Sequence, residues 1–237
     1  GLRVTAFAVS HDPVKPAYGY RFDYGGRSVV VSGDTTKNLV LIEAAHGADV
    51  LFHEAQANHI VAQIGEAAAK AGRPRIAKVM SDIPSYHSSP VQAAEVANEA
   101  GVKLLVIVTE NIPRFEVAQM VELAELRGAR IIGPNCLGLI SPGEAKMGGI
   151  GGPAENTRQA YTPGRVGVMS RSGGMTTEIS SSLTAAGLGV STAVSIGGDA
   201  IIGSTYAALM PLFEEDEHTE AIVNYTEPGG RMEAELV

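Results

Sequence analysis

Two groups of residues in this chain of 237 have types and spacings that could do chemistry. The first is Ser170-Arg171-Ser172-Gly173-Gly174, set between the apolar run 166–169 and a segment of helical character over 175–186. The first N–H groups of a helix lack internal partners and carry the positive end of its dipole. Gly173 and Gly174 let an anion approach the backbone, so Ser170, Ser172 and the two glycines read as a phosphate cradle. A turn of this composition also joins strands to helices without any ligand, and the residues alone leave both readings open. The second group is Asp34, His53, Glu54 and His87, which fall at strand ends or in loops, where side chains can converge on a metal or a substrate. Capping by an aspartate and simple hydrogen bonding by a histidine are the alternatives there.

The elements that must carry these residues alternate between strand and helix. Residues 4–9 read as a strand and 11–16 as a turn-rich loop, followed by a hairpin of 18–24 and 28–32 about Gly25-Gly26. A helix is expected over 38–45, a buried strand over 49–53 and a helix over 60–71, stopped by Gly72-Arg73-Pro74. Residues 83–90 read as a loop. Pro90 fits the first turn of a helix running to Ala100, with Ser89 as its N-cap.

From about Ala100 the pattern changes. The continuous apolar run 102–108 is that of a strand buried on both faces, then come a turn at 109–113, an amphipathic helix over 115–127 and a short strand over 130–133. Residues 134–143 are loop-rich, and the glycine-rich crossing 147–164 is the best candidate for a domain boundary. Beyond the cradle, 190–196 reads as a strand, Gly197-Gly198-Asp199 as a tight turn and 205–213 as a helix. An acidic surface run at 214–217 and a strand at 221–225 follow, and Glu227-Pro228-Gly229-Gly230 opens a further helix. The fold class is therefore α/β, with a parallel doubly wound sheet in the C-terminal half and ligands expected at the carboxyl ends of its strands.

Composition narrows the function. With 45% apolar residues the chain can build a globular core, and a net charge of −8 without any basic run makes nucleic acid an unlikely partner. One cysteine, Cys136, excludes an internal disulfide framework and points to a reducing, cytoplasmic setting. No run approaches the roughly 18 apolar residues of a membrane span, so no membrane partner is expected. The start on Gly1 reads as that of a fragment or a processed chain.

Over about residues 2–106, Ser32-Gly33-Asp34-Thr35, Phe52-His53-Glu54-Ala55 and His87-Ser88-Ser89-Pro90 with its Ala-rich helix resemble the C-terminal half of a metallo-β-lactamase-fold hydrolase of the ribonuclease Z and arylsulfatase-like branch. His11-Asp12-Pro13 fits as well. The resemblance implies that Asp34 is a zinc ligand bridging two ions, that His87 assists catalysis as a proton donor, and that metal hydroxide attacks an ester or phosphodiester. The main metal cluster of that family, a His-x-His-x-Asp-His loop, has no counterpart here. Hydrolase turnover is not expected of this chain alone.

Over about residues 101–237 a second resemblance holds. Thr109-Glu110-Asn111-Ile112-Pro113, Gly133-Pro134-Asn135-Cys136-Leu137-Gly138, Gly164-Arg165-Val166-Gly167 with Ser170–Gly174, Ser195-Ile196-Gly197-Gly198-Asp199 and Glu227-Pro228-Gly229-Gly230 follow the order and spacing of the α subunit of succinyl-CoA synthetase and its acyl-CoA ligase relatives. The resemblance implies a flavodoxin-like domain, with Thr109 and Glu110 near a bound CoA and Asn135 and Cys136 lining its thiol region. It also implies a phosphohistidine received by the cradle, and Glu227 steadying that histidine. Many relatives carry a threonine where Gly174 stands. The phosphorylated histidine is expected beyond Glu227, past the end of this sequence.

The chain thus reads as a fusion of two partial families. The expected division is a metallo-β-lactamase-like half domain over 1–103, a CoA-domain remnant and linker over 104–163, and a ligase-type phosphate-binding domain over 164–237. The leading functional expectation is a CoA ligase α-subunit-type protein, incomplete as it stands. It would join a small carboxylic acid such as succinate to CoA with a β subunit that carries the nucleotide-grasp domain. A zinc-dependent hydrolase that has lost most of its metal ligands and a non-catalytic phosphate- or CoA-binding module are the alternatives.

Overall fold

In the computed structural model, which describes residues 1–227 and Met232, the chain divides into two units. The first comprises Gly1–Leu105 and Ile112–Ala129, the second Val106–Asn111 and Arg130–Val237. The helix expected to open at Pro228-Gly229-Gly230 lies outside the described residues.

The first unit is built on a four-stranded sheet in the order β1-β2-β3-β4, with β1 (Arg3–Ala8), β2 (Tyr18–Tyr24), β3 (Arg27–Val31) and β4 (Val50–Phe52). The first three strands are antiparallel, with Tyr24 opposite Arg27 across Gly25-Gly26. β4 runs parallel to β3, and helix α1 (Leu39–Ala45) makes the crossover, capped by the Asn38 side chain on the Leu41 N–H. Four more helices follow: α2 (Asn58–Lys70), α3 (Pro74–Asp82), α4 (Pro90–Glu99) and α5 (Arg114–Leu126). Ser89 caps α4 as expected, and the cap is reciprocal: its hydroxyl accepts from Gln92 N–H while the Gln92 side chain accepts from Ser89 N–H. Val30, Leu41, Ala45, Val96, Ala97, Ala100 and Val102 form the core between sheet and helices.

Among the described residues only one face of that sheet is covered. Strand register places Val4, Phe22, Val29 and Val50 in one row of the other face and Ala6, Tyr20, Val31 and Phe52 in the next. Val4 is 50% exposed, Tyr20 41% and Phe52 44%, so an apolar sheet face meets water.

Helix α3 is additional to the elements expected from sequence. Pro74 takes its first position, where a missing N–H is tolerated, and Met80 packs close to α2 at Gly65, where a Cβ would lie 3.2 Å from Met80 Cβ, a tight contact. Strand β5 (Leu104–Val106) is shorter than the apolar run 102–108 and belongs to neither large sheet.

The second unit holds β6 (Arg130–Ile132), β7 (Gly138–Ser141), β8 (Ala145–Met147), α6 (Ala154–Ala160), β9 (Val166–Ser170), α7 (Gly173–Ala185), β10 (Ala193–Ser195), α8 (Tyr206–Glu215) and β11 (Ala221–Tyr225). Its five-stranded sheet has the order β11-β9-β10-β7-β8. β11, β9 and β10 are parallel and supply the doubly wound part, and an antiparallel β7–β8 hairpin extends it. This hairpin and α6 fall in stretches whose composition reads as loop. Ile140, Ile150 and Tyr161 from that region nevertheless share a core with Val168, Val190 and Ala193, so both sides of the glycine-rich crossing serve one sheet. Among the described residues no helix is long and apolar enough to cross a membrane.

Candidate functional site

In the second unit, the turn after β9 is shaped by its own serines. Ser170 is fully buried, its hydroxyl donates to Ser172 O at 2.7 Å and accepts from Ser172 N–H at 3.1 Å, and so closes the turn internally. Ser172 is the N-cap of α7, its hydroxyl accepting from Met175 N–H at 3.4 Å. The two glycines differ. A Cβ on Gly173 would lie 2.4 Å from Leu137 Cγ, whereas nothing lies within 4 Å of one on Gly174. The helix N-terminus is therefore packed on the Gly173 side and open on the Gly174 side, the geometry an approaching anion needs.

Around this turn the other expected residues are joined by hydrogen bonds. Asn135 N–H donates to Thr109 O at 3.0 Å, Gly198 N–H donates to Asn135 O at 3.1 Å, and the Asn135 side-chain amide donates to Asp199 Oδ1 at 2.8 Å. Arg171, only 8% exposed, reaches the same loop: its Nη2 donates to Gly198 O at 2.9 Å and Asp199 O at 3.0 Å. Loops 109–111, 133–136, 170–174 and 197–199 thus form one connected set at one end of the sheet. Glu110 is exposed there, and Glu227 follows β11 by two residues at the end where Tyr225 pairs in register with Ser170. Two glycines let these loops close: Gly133 (φ +93°) and Gly197 (φ +107°), where a Cβ would lie 2.2 Å from Ile107 O and from Pro134 O respectively.

Cys136 sits beneath this set, its thiol donating to Ile107 O at 3.3 Å. Burial pushes the thiol pKa up to about 11, against a weaker opposing effect of a backbone hydrogen bond from Gly138. Cys136 is expected to resist thiol reagents at neutral pH in the folded chain and to react readily in urea. An unfolded thiol ionises first as pH rises, so the contribution of Cys136 is fully present below pH 9.0 and is lost as pH climbs through about 11. Urea midpoints measured across that window should fall more steeply for the parent chain than for Cys136→Ala.

In the first unit, His11, Asp34 and His87 come together although they are distant in sequence. One ligand atom from each lies within 4.8 Å of the others. The His11 and His87 rings meet edge to face, with centroids 5.0 Å apart. The Glu54 carboxylate accepts from His87 Nδ1 at 2.8 Å and from Thr35 N–H at 2.6 Å, so Nδ1 is the donor nitrogen of His87 and the carboxylate fixes the ring's orientation. His11 Nε2 is buried and has no hydrogen-bond partner. His53 stands apart, its Nδ1 donating to Glu54 O at 2.6 Å, and burial lowers its pKa so that the ring stays neutral. The sequence singles out Asp34, Glu54 and His87, but not the hydrogen bond by which Glu54 anchors His87 or the bracing by Arg171. A strand-end arginine flanked by serines carries no distinctive spacing.

Each unit thus presents loops gathered by hydrogen bonds, and the second has the strand-turn-helix form of a flavodoxin-like domain. Comparison with known proteins agrees with that class. Residues 163–234 match the succinyl-CoA ligase like flavodoxin domain, and residues 1–108 match the beta-lactamase superfamily domain, so the two parts of the chain are similar to two different families. It is 45% identical over 137 residues to succinate–CoA ligase [ADP-forming] subunit alpha 2 of Archaeoglobus fulgidus, covering 58% of this chain and 46% of the relative. The malate–CoA ligase subunit alpha of Methylorubrum extorquens is 38% identical over 143 residues, covering 59% and 46%. ATP citrate lyase from Methanothrix soehngenii, solved with citrate and coenzyme A, superposes with a TM-score of 0.56 at 28% identity, over 61% of this chain and 24% of that one. The chain spans about half the length of the curated relatives it matches.

The beta-lactamase likeness raises the question of a metal. The orphaned, buried His11 nitrogen fits one, and with Asp34 and His87 it gives three donors, enough for a single ion with an open position and too few for a dinuclear centre.

Proposed function

We propose that the second unit is the phosphate- and CoA-handling part of an acid–thiol ligase of the α-subunit type. In this reading Ser172 and the N–H groups at Gly173 and Gly174 hold a phosphoryl group, and Ser170 shapes the turn that presents them. Thr109, Glu110, Asn135 and Cys136 line the approach of CoA, and Glu227 steadies the phosphorylated histidine. A β subunit with a nucleotide-grasp domain is the proposed partner, a small carboxylic acid the substrate class and the cytoplasm the setting. The observation that carries the reading is the open helix N-terminus beside Gly174, joined through Arg171, Gly198 and Asn135 to the loop of Thr109 in one hydrogen-bonded set. The relatives named above are CoA ligase α subunits, which supports the same assignment.

The test uses the contrast between the two glycines. Gly174→Thr is expected to fold as the parent does and to tighten binding of inorganic phosphate, read by phosphorus NMR titration, because the hydroxyl enters open space at the cradle. Gly173→Thr must displace Leu137 and is expected to abolish that binding. The full chain should also bind CoA saturably by calorimetry. Absence of CoA binding, or phosphate binding indifferent to both substitutions, would overturn the proposal.

A further inference from the structure

We propose that the helical hairpin of α2 and α3 is a docking surface for an acidic amphipathic helix of a partner protein. This rests on the first unit alone and is independent of the ligase reading. The hairpin is tightly built. Gly72, at φ +68°, closes α2: its N–H donates to Ala69 O at 3.1 Å, Arg73 N–H donates to Ala68 O at 2.9 Å, and Pro74 then opens α3. Gly65 and the buried Ala68 face α3, with Met80 against Gly65. The helical repeat then places Ile60, Ile64 and Ala67 of α2 on the same flank of the hairpin as Ile76 and Val79 of α3 and Ile83 just past it. Ile64, Ile76 and Val79 are 40–47% exposed and no residue of α3 is buried, so among the described residues this flank is left open to water.

The charge of the hairpin selects the partner. Lys70, Arg73, Arg75 and Lys78 are spaced out in sequence, but the turn at Gly72 gathers them toward one end, all of them exposed. Lys78 pairs with Asp82, whereas among the described residues Lys70, Arg73 and Arg75 enter no ion pair. Residues 67–81 carry a formal charge of +4 and no acidic side chain, so the remainder of the chain carries −12 within the total of −8. A free positive end on an otherwise acidic molecule attracts an acidic partner and repels the basic end of a second copy. The apolar flank fixes the kind of acidic partner. Its residues recur at i, i+4, i+7 along α2 and at i, i+3, i+7 along α3, and two such rows side by side form a groove into which a third helix lays about two turns of its own apolar stripe. Anionic lipid and nucleic acid match it less well, because residues 58–82 contain no aromatic side chain to seat at a membrane interface or to stack on a base.

The probe is a fluorescein-labelled synthetic helix of about four turns, with leucine at i, i+4, i+7 and i+11 and glutamate on both flanks, titrated with the full chain and read by anisotropy. It is expected to bind one to one, to saturate below about 100 μM and to weaken as salt rises. A peptide of the same composition in scrambled order, and one with lysine for glutamate, should each bind at least ~10-fold more weakly. In the chain, Lys70→Glu with Arg75→Glu, and separately Ile64→Gln with Ile76→Gln, should each weaken binding at least ~10-fold with far-ultraviolet circular dichroism unchanged, since all four side chains are exposed. Lys103→Glu, the same charge change at an exposed lysine outside the hairpin, should leave affinity within ~2-fold of the parent. No binding, or affinity indifferent to scrambling or to the hairpin variants, would overturn the proposal. So would phosphatidylserine vesicles or single-stranded RNA binding more tightly than the peptide, or a dimer that Ile64→Gln with Ile76→Gln dissolves, each of which gives the flank to another occupant. Failure here leaves the CoA and phosphate titrations untouched, so the two proposals fall separately.

Discussion

Arg171→Ala is expected to destabilise the second unit by about 3 kcal/mol. The guanidinium is 8% exposed, and its Nη2 donates to the carbonyls of both Gly198 and Asp199. Among the described residues it is in no ion pair, so carbonyl dipoles solvate the buried charge. Truncation leaves two carbonyls without their donor and a cavity beneath the 197–199 loop, and each charged hydrogen bond is worth about 1.5–3 kcal/mol. Arg171→Lys should recover part of the loss, because an ammonium on a flexible stem reaches one carbonyl more easily than it bridges two. Hydrogen exchange at the amides of Val168 and Met169, both fully buried in β9, reads the change in this unit alone. Exchange unchanged by Arg171→Ala would show that the arginine merely fills space.

Gly197→Ala is expected to destabilise the same unit by about 3 kcal/mol and to abolish the proposed CoA binding. Two effects add. At φ +107° an L side chain is strained, and its Cβ would lie 2.2 Å from Pro134 O and 3.3 Å from Gly133 Cα. The obstacle is backbone and cannot rotate away, so the 197–199 loop must separate from the 133–136 loop and break the Gly198 N–H bond to Asn135 O. The neighbouring glycine is the control. Gly198→Ala meets Asn135 Nδ2 at 3.7 Å and Arg171 O at 4.0 Å, ordinary contacts, and should stay within about 0.5 kcal/mol of the parent. Urea denaturation of the two variants side by side, with CoA calorimetry, checks the contrast.

Local chemistry made much of the fold legible. Ser89 reads as an N-cap and is one, and Asn38, Ser172 and Thr205 cap helices in the same way through their side-chain oxygens. Gly25-Gly26 set the hairpin, and the apolar runs at 166–169 and 221–225 became parallel neighbours in one sheet. What escaped was short and depended on distant partners. Strand β7 has four residues beginning at Gly138, and it is held as a strand by pairing with β8 on one side and, across more than fifty positions, with β10 on the other. Helix α6 has seven residues and no side-chain cap, and Thr157 buried on it and Tyr161 buried just past its end tie it to the core. Of the run 102–108 only Leu104–Val106 is strand, and just past it Ile107 N–H still bonds to Ile132 O while Ile107 O accepts from the Cys136 thiol.

The candidate sites divide in the same way. The cradle was readable because a helix N-terminus after a strand is a local event, wholly contained in 170–175. The His11, Asp34 and His87 cluster was only half readable. Asp34 and His87 stand beside recognisable turns and caps, but their convergence with His11 depends on how three separate loops tie to Thr35 and Glu54.

The uncovered face of the four-stranded sheet has a colloidal consequence. Val4, Tyr20, Val31 and Phe52 present a contiguous apolar surface, while the net charge of −8 keeps copies of the chain apart. Salt shortens the reach of that repulsion to about 10 Å at 0.1 M and strengthens the attraction of the bare faces by comparison. Raising the ionic strength is therefore expected to shift this molecule from dispersed toward associated chains, a change that light scattering across a salt series would read.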